Sequence, residues 1–131
     1  MTPTVTMRSG STTRRIWERT RRMAYAQGSV VLAPATFKSG VRPYLVVSNR
    51  NRPFFGDRYT VAVITSTKRA QAVELTVESL IDGELKTYPS YVSPWSLHVF
   101  PQQEITKRVA QVDDATMTAV ADGVHELTRV L

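Results

Sequence analysis

Arg42 and Thr65 are the residues of this 131-residue chain whose types and setting best suit work on a phosphodiester. The arginine stands in Gly40-Val41-Arg42-Pro43-Tyr44-Leu45-Val46-Val47-Ser48, where Pro43 stiffens the start of an apolar strand. The threonine stands in Val63-Ile64-Thr65-Ser66-Thr67, at the exit of a second strand. If these strands are neighbours, the guanidinium and the hydroxyl meet at one rim. A guanidinium is a planar fork of donors that fits two phosphate oxygens. Hydroxyls of Thr65 and Ser66 would add donors at fixed positions, where charge develops during phosphoryl transfer. Each motif alone also fits a surface arginine after a loop and a β-branched strand residue. Their combination on adjacent strands is the stronger signal.

Other chemistries lack material. The chain has no cysteine, which removes disulfides, thiolate zinc sites and thiol nucleophiles, and fits a cytoplasmic setting. His98 and His125 are too far apart for a local metal motif. Asp57 is the one carboxylate between residues 28 and 70, too few for a two-metal nuclease. No glycine-rich phosphate loop precedes a helix, and no Ser-His-acid set is suggested. Neither a metal nor an organic cofactor is expected. RNA is the substrate that needs least, because its 2′-hydroxyl is an internal nucleophile beside the phosphorus. Arginine is a poor proton donor at neutral pH, so the donor to the leaving oxygen stays open.

Further RNA-binding candidates surround this pair. The Asn49–Arg58 loop interleaves Arg50 and Arg52 with Phe54 and Phe55, cations for phosphates beside rings for stacking. The competing reading folds at least one phenylalanine back into the core. Lys38, Ser39, Lys68 and Arg69 lie in loops flanking the two motifs. Trp95 is a stacking candidate or a core residue, and Ser96 adjoins it. His98 could shuttle a proton or simply serve the sheet.

The formal net charge of +6 is unevenly placed. Residues 1–27 carry six arginines against Glu18. Residues 28–70 carry seven cationic side chains against Asp57, and residues 71–131 carry four against nine acids. Both motifs therefore sit in the basic half of a polarised molecule, which attracts a polyanion even at modest net charge.

The elements that must position these groups are mostly short strands. Residues 1–27 read as a basic N-terminal extension, partly disordered, with a short helix over Thr12–Gln27 that puts Ile16, Thr20 and Met23 on one stripe. Residues 28–131 read as one domain. Strands are expected at Ser29–Ala33, Arg42–Ser48, Tyr59–Thr65, Ala72–Val77, Tyr91–Val92 and Ser96–Phe100, with Pro94 as a break and Ile81–Glu84 as a turn. Such spacing favours a small antiparallel barrel. Asp113 caps a C-terminal helix whose Met117, Val120, Val124, Leu127 and Leu131 form an apolar stripe for the core or a dimer. Gly123 weakens that helix unless a neighbour comes close. Apolar runs are too short for a transmembrane helix, and no secretory leader is expected.

The chain resembles the MazF/PemK-type toxins of toxin–antitoxin systems from about Gly28 onward. The resemblance rests on Gly28-Ser29-Val30-Val31-Leu32, on the Gly40–Ser48 segment and on Val63-Ile64-Thr65-Ser66. Phe37-Lys38-Ser39-Gly40 and Ser90-Tyr91-Val92-Ser93-Pro94-Trp95-Ser96 are most similar to archaeal members. The resemblance implies a mainly β (α+β) fold, an SH3-like antiparallel barrel with a C-terminal helix, shared with CcdB-type gyrase poisons. It further implies a homodimer that cleaves single-stranded RNA without metal, leaving a 2′,3′-cyclic phosphate and a 5′-hydroxyl. The family's catalytic arginine and threonine fall on Arg42 and Thr65. A cognate antitoxin would lie across the RNA groove. Where many bacterial members read Gln-Ile-Arg-Thr, this chain reads Ser96-Leu97-His98-Val99, so base preference does not carry over. The alternatives are a CcdB-like topoisomerase-binding toxin and a non-catalytic RNA-binding barrel.

Overall fold

Alternating β-branched residues and closely spaced turns produce seven antiparallel strands in a computed structural model that describes residues 24–131. They are β1 (Ser29–Pro34), β2 (Val41–Val46), β3 (Arg58–Thr65), β4 (Val73–Leu75), β5 (Leu80–Gly83), β6 (Ser90–Pro101) and β7 (Lys107–Val112). The order across the sheet is β4-β6-β3-β2-β1-β7-β5. It curls into a nearly closed SH3-like barrel, completed by one helix, α1 (Asp114–Thr128). This is the fold class the sequence led us to expect. Of the Thr12–Gln27 helix, residues 24–27 are not helical and the remainder lies outside the described residues.

Both sheet faces are buried, which explains the apolar run Tyr44-Leu45-Val46 in β2. One face presents Val30, Leu45, Ala62, Ile64, Val92, Ala110 and Val112, and Met117 and Val120 of α1 pack onto it. The other presents Val31, Tyr44, Val46, Tyr59 and Val61, covered by Tyr25, Phe55, Ile105 and Phe100. Side chains alternate between faces along each strand. Arg42 and Thr65 therefore continue the second face, in line with Tyr44 and Val63.

Several elements differ from the sequence expectation. Pro94 does not end β6, which runs for 12 residues. Ser93 pairs with Val63 and Leu97 with Ala62, so Pro94, Trp95 and Ser96 bulge out between two adjacent partners. Ile81–Gly83 is no free turn but part of β5, paired with β7, a strand the sequence reading lacks. The strand expected over Ala72–Val77 ends at Leu75, because Thr76 turns the chain, its amide donating to Ser79 Oγ at 3.0 Å. Asp113 caps α1 as expected, accepting from the Thr116 amide at 2.8 Å. Beyond Val120 the apolar stripe leaves the core: Leu127 is 49% exposed and Leu131 lies past the helix end. No helix among the described residues is long and apolar enough to cross a membrane.

Candidate functional site

The β2–β3 register pairs Val46 with Val61, Leu45 with Ala62 and Tyr44 with Val63. Continued by two residues, it sets Arg42 opposite Thr65 on one face, where cross-strand Cβ atoms lie about 4.5–5.5 Å apart. Arg42 is half-buried and its Nη2 donates to the Ile64 carbonyl at 2.9 Å, which ties the guanidinium to β3. Its Cζ lies 5.9 Å from the centre of the Tyr44 ring. Its Nε is enclosed with no hydrogen-bond partner. Neither ion pair among the described residues includes Arg42. The Thr65 hydroxyl oxygen accepts from the Thr67 amide at 3.2 Å, which leaves its proton free to donate outward. A tethered, uncompensated guanidinium beside a fixed hydroxyl can hold two oxygens of one phosphate.

The other candidates fall into three places. Lys38 and Ser39 in the β1–β2 loop, and Ser66, Lys68 and Arg69 in the β3–β4 loop, are exposed at the Arg42–Thr65 end of the strands. Arg50, Arg52, Phe54 and Phe55 sit in the β2–β3 loop, at the opposite end. Eight residues of β3 separate the two ends, roughly 23 Å of strand. The structure therefore does not bring this loop to the pair. Arg52 is engaged, its Nε donating to Thr60 Oγ1 at 2.9 Å and its Nη1 to the Pro53 carbonyl at 2.7 Å. Phe55 folds onto Tyr59, with ring centres 6.3 Å apart, whereas Phe54 is 69% exposed and holds a left-handed backbone (φ 63°). Trp95 and Ser96 occupy the β6 bulge, and Trp95 is 44% exposed.

His98 lies between the two ends, on the face that carries Arg42. Its ring meets Tyr44 edge-on at 5.9 Å and stacks on Phe100 at 6.2 Å. Tyr44 thus neighbours both His98 and Arg42. Three residues absent from the sequence-based candidates share this face: Tyr44, Ser93 opposite Val63, and Tyr91 opposite Thr65. Only the β3–β6 register reveals the last two, and a register through a three-residue bulge leaves no local mark. Among the described residues, no three His, Asp or Glu side chains group so as to hold a metal ion.

Comparison with solved structures places this architecture among known toxins. A mycobacterial endoribonuclease in complex with its cognate antitoxin superposes with a TM-score of 0.64 at 18% identity, over 82% of this chain and 97% of that one. The Mycobacterium tuberculosis toxin MazF-mt6 superposes at 0.59 and 20% identity, over 76% and 95%. MazE–MazF from Deinococcus radiodurans gives 0.64 at 15% identity, over 82% and 98%. No curated protein matches the chain in sequence. The family described as PemK-like, MazF-like toxin of type II toxin–antitoxin system matches residues 26–128, from just ahead of β1 to the end of α1. The chain belongs to that toxin family.

Proposed function

We propose that this toxin is an endoribonuclease that cleaves single-stranded RNA at a phosphodiester held between Arg42 and Thr65. The cross-strand placement of those two side chains carries the reading. The 2′-hydroxyl attacks the phosphorus in line with the 5′-oxygen, giving a 2′,3′-cyclic phosphate and a 5′-hydroxyl without a metal ion. Arg42, anchored by Ile64 through Nη2 and with Nε enclosed, donates from Nη1 to a non-bridging oxygen. Thr65 donates a second contact, so that charge on the pentacoordinate phosphorane meets donors already in place. Lys38, Ser39, Ser66, Lys68 and Arg69 flank the scissile phosphate, and His98 faces a neighbouring nucleotide. The relatives solved with their antitoxins support a cognate antitoxin as the partner here, and the family supports a homodimer. Residues 28–131 are the toxin domain, and residues 1–27 are an extension to it.

A single-stranded RNA pool incubated with the protein and a chelator should give mapped ends of the cyclic-phosphate type. A 2′-deoxy substitution at the mapped site should block the cut. Arg42→Ala should lower the rate by about 10²–10³ or more while leaving the circular dichroism spectrum unchanged. Cleavage by that variant at the wild-type rate would remove Arg42 from the site.

A further inference from the structure

The row of side chains that carries Arg42 and Thr65 continues outward across the sheet. In the β3–β6 pairing Thr65 opposes Tyr91, and in the β4–β6 pairing Tyr91 opposes Glu74. Directly opposed residues of antiparallel strands share a face, so one row reads Arg42, Thr65, Tyr91, Glu74. Three tyrosines are buried among the described residues, Tyr44, Tyr59 and Tyr91. Buried phenols ordinarily find a partner. Tyr44 donates to the Pro34 carbonyl at 2.7 Å, and Tyr59 donates to Gln102 Oε1 at 2.8 Å. Tyr91 is 8% exposed, belongs to neither apolar cluster, and its hydroxyl has no hydrogen-bond partner among the described residues. Nor is that hydroxyl sealed in, since Arg42 Nε is the one enclosed unpartnered side-chain atom among them. A largely buried ring, outside both apolar clusters, thus carries a free hydroxyl on the residue opposite Thr65.

We propose that Tyr91 is the proton donor to the leaving 5′-oxygen. The assignment rests on the ribonuclease reading above and fills the step that Arg42 and Thr65 leave open. A phenol holds its proton at neutral pH, where a carboxylate has lost it, yet gives it up far more readily than a guanidinium. His98 is two face positions further along, opposite Val61 rather than Thr65, roughly 13 Å of strand away. The step balances as follows. The 2′-hydroxyl releases its proton to water as its oxygen bonds to phosphorus. The P–O5′ bond breaks, its electron pair goes to O5′, and O5′ takes the Tyr91 proton. Water then returns a proton to the phenolate, so no other reactant is consumed.

The test uses two RNA oligonucleotides that span the mapped site, one with the natural 5′-oxygen and one with sulfur in that bridging position. A thiolate leaves without being protonated, so a lost proton donor no longer matters. Tyr91→Phe should cut the oxygen substrate about 10²–10³-fold more slowly and the sulfur substrate at close to the wild-type rate. Its melting temperature should hold, because no intramolecular hydrogen bond is removed. Arg42→Ala should slow both substrates. An equal loss on both substrates by Tyr91→Phe, or no loss on either, overturns the assignment while the ribonuclease reading stands. Failure of the wild-type protein to cut either substrate removes that reading, and the role of Tyr91 with it.

Discussion

Arg42 is oriented by a carbonyl rather than a carboxylate, and that choice keeps its charge available. Its Nη2 is spent on Ile64, its Nε is enclosed, and no acid among the described residues pairs with it. This residue was legible in the sequence because Pro43 and a strand follow it. Tyr91 was not, since its meaning comes from a residue on another strand. Tyr59 shows the same dependence on context. Burial pushes its hydroxyl up from the ordinary value of 10.0. Its oxygen accepts from the Tyr25 amide at 3.1 Å while its proton goes to Gln102. In the unfolded chain this phenol ionises first as pH rises. Its contribution is therefore complete below about pH 10 and falls away between that pH and the raised folded-state value. Tyr59→Phe should lose about 0.5–1.5 kcal/mol of stability near pH 8, from the missing hydrogen bonds. Above pH 10, urea titrations should show a shallower decline in the variant than in the wild type. Parallel declines would mean that Tyr59 has the same proton affinity in both states.

At the scale of elements, the sequence showed which segments are strands more readily than how they pair. β1, β2 and β3 were legible because apolar β-branched runs sit between loop signals. β7 was not, since its sequence Lys107-Arg108-Val109-Ala110-Gln111-Val112 alternates weakly and its partners lie far off in the chain. Gly83 reads as a turn residue, but its positive φ serves a close approach. A Cβ there would sit 2.1 Å from the Val109 carbonyl oxygen. Pro94 reads as a strand breaker, yet β6 absorbs it in a bulge and sets its ring against α1. That contact answers why a glycine stands inside the helix. A Cβ on Gly123 would lie 2.7 Å and 2.9 Å from Pro94 Cγ and Cβ, atoms of a rigid ring. Alanine would gain about 1 kcal/mol of helix propensity, against an overpacking cost of about 1–3 kcal/mol. Gly123→Ala should therefore destabilise the protein, and Gly123→Ala with Pro94→Ala should recover most of the loss. A stabilised single variant in chemical denaturation would mean that α1 docks with room to spare.

At the scale of the whole molecule, the basic half seen in the sequence resolves into two patches at opposite ends of the β2–β3 hairpin. Lys38, Lys68 and Arg69 stand in exposed loops at the Arg42–Thr65 end, while Arg50, Arg52 and Arg58 stand at the other. The charge count could not separate them, because residues adjacent in sequence are carried apart by the length of a strand. The two patches differ in what their cations already do. Arg52 is bonded to Thr60 and Pro53, whereas neither ion pair among the described residues draws on Lys68 or Arg69. A cation that neutralises an RNA phosphate releases counterions, and each contact adds about 0.7 to the slope of log affinity against log salt for a single strand. Binding of a 2′-deoxy-substituted, uncleavable RNA should therefore lose up to about 1.4 of that slope in the Lys68→Ala, Arg69→Ala double variant. Arg52→Ala should leave the slope unchanged and instead lower the melting temperature, because its loss frees the loop from Thr60. The reverse pattern would place the RNA backbone along the β2–β3 loop. The scissile phosphate would then have to lie away from Arg42 and Thr65, so this measurement also tests the site from outside it.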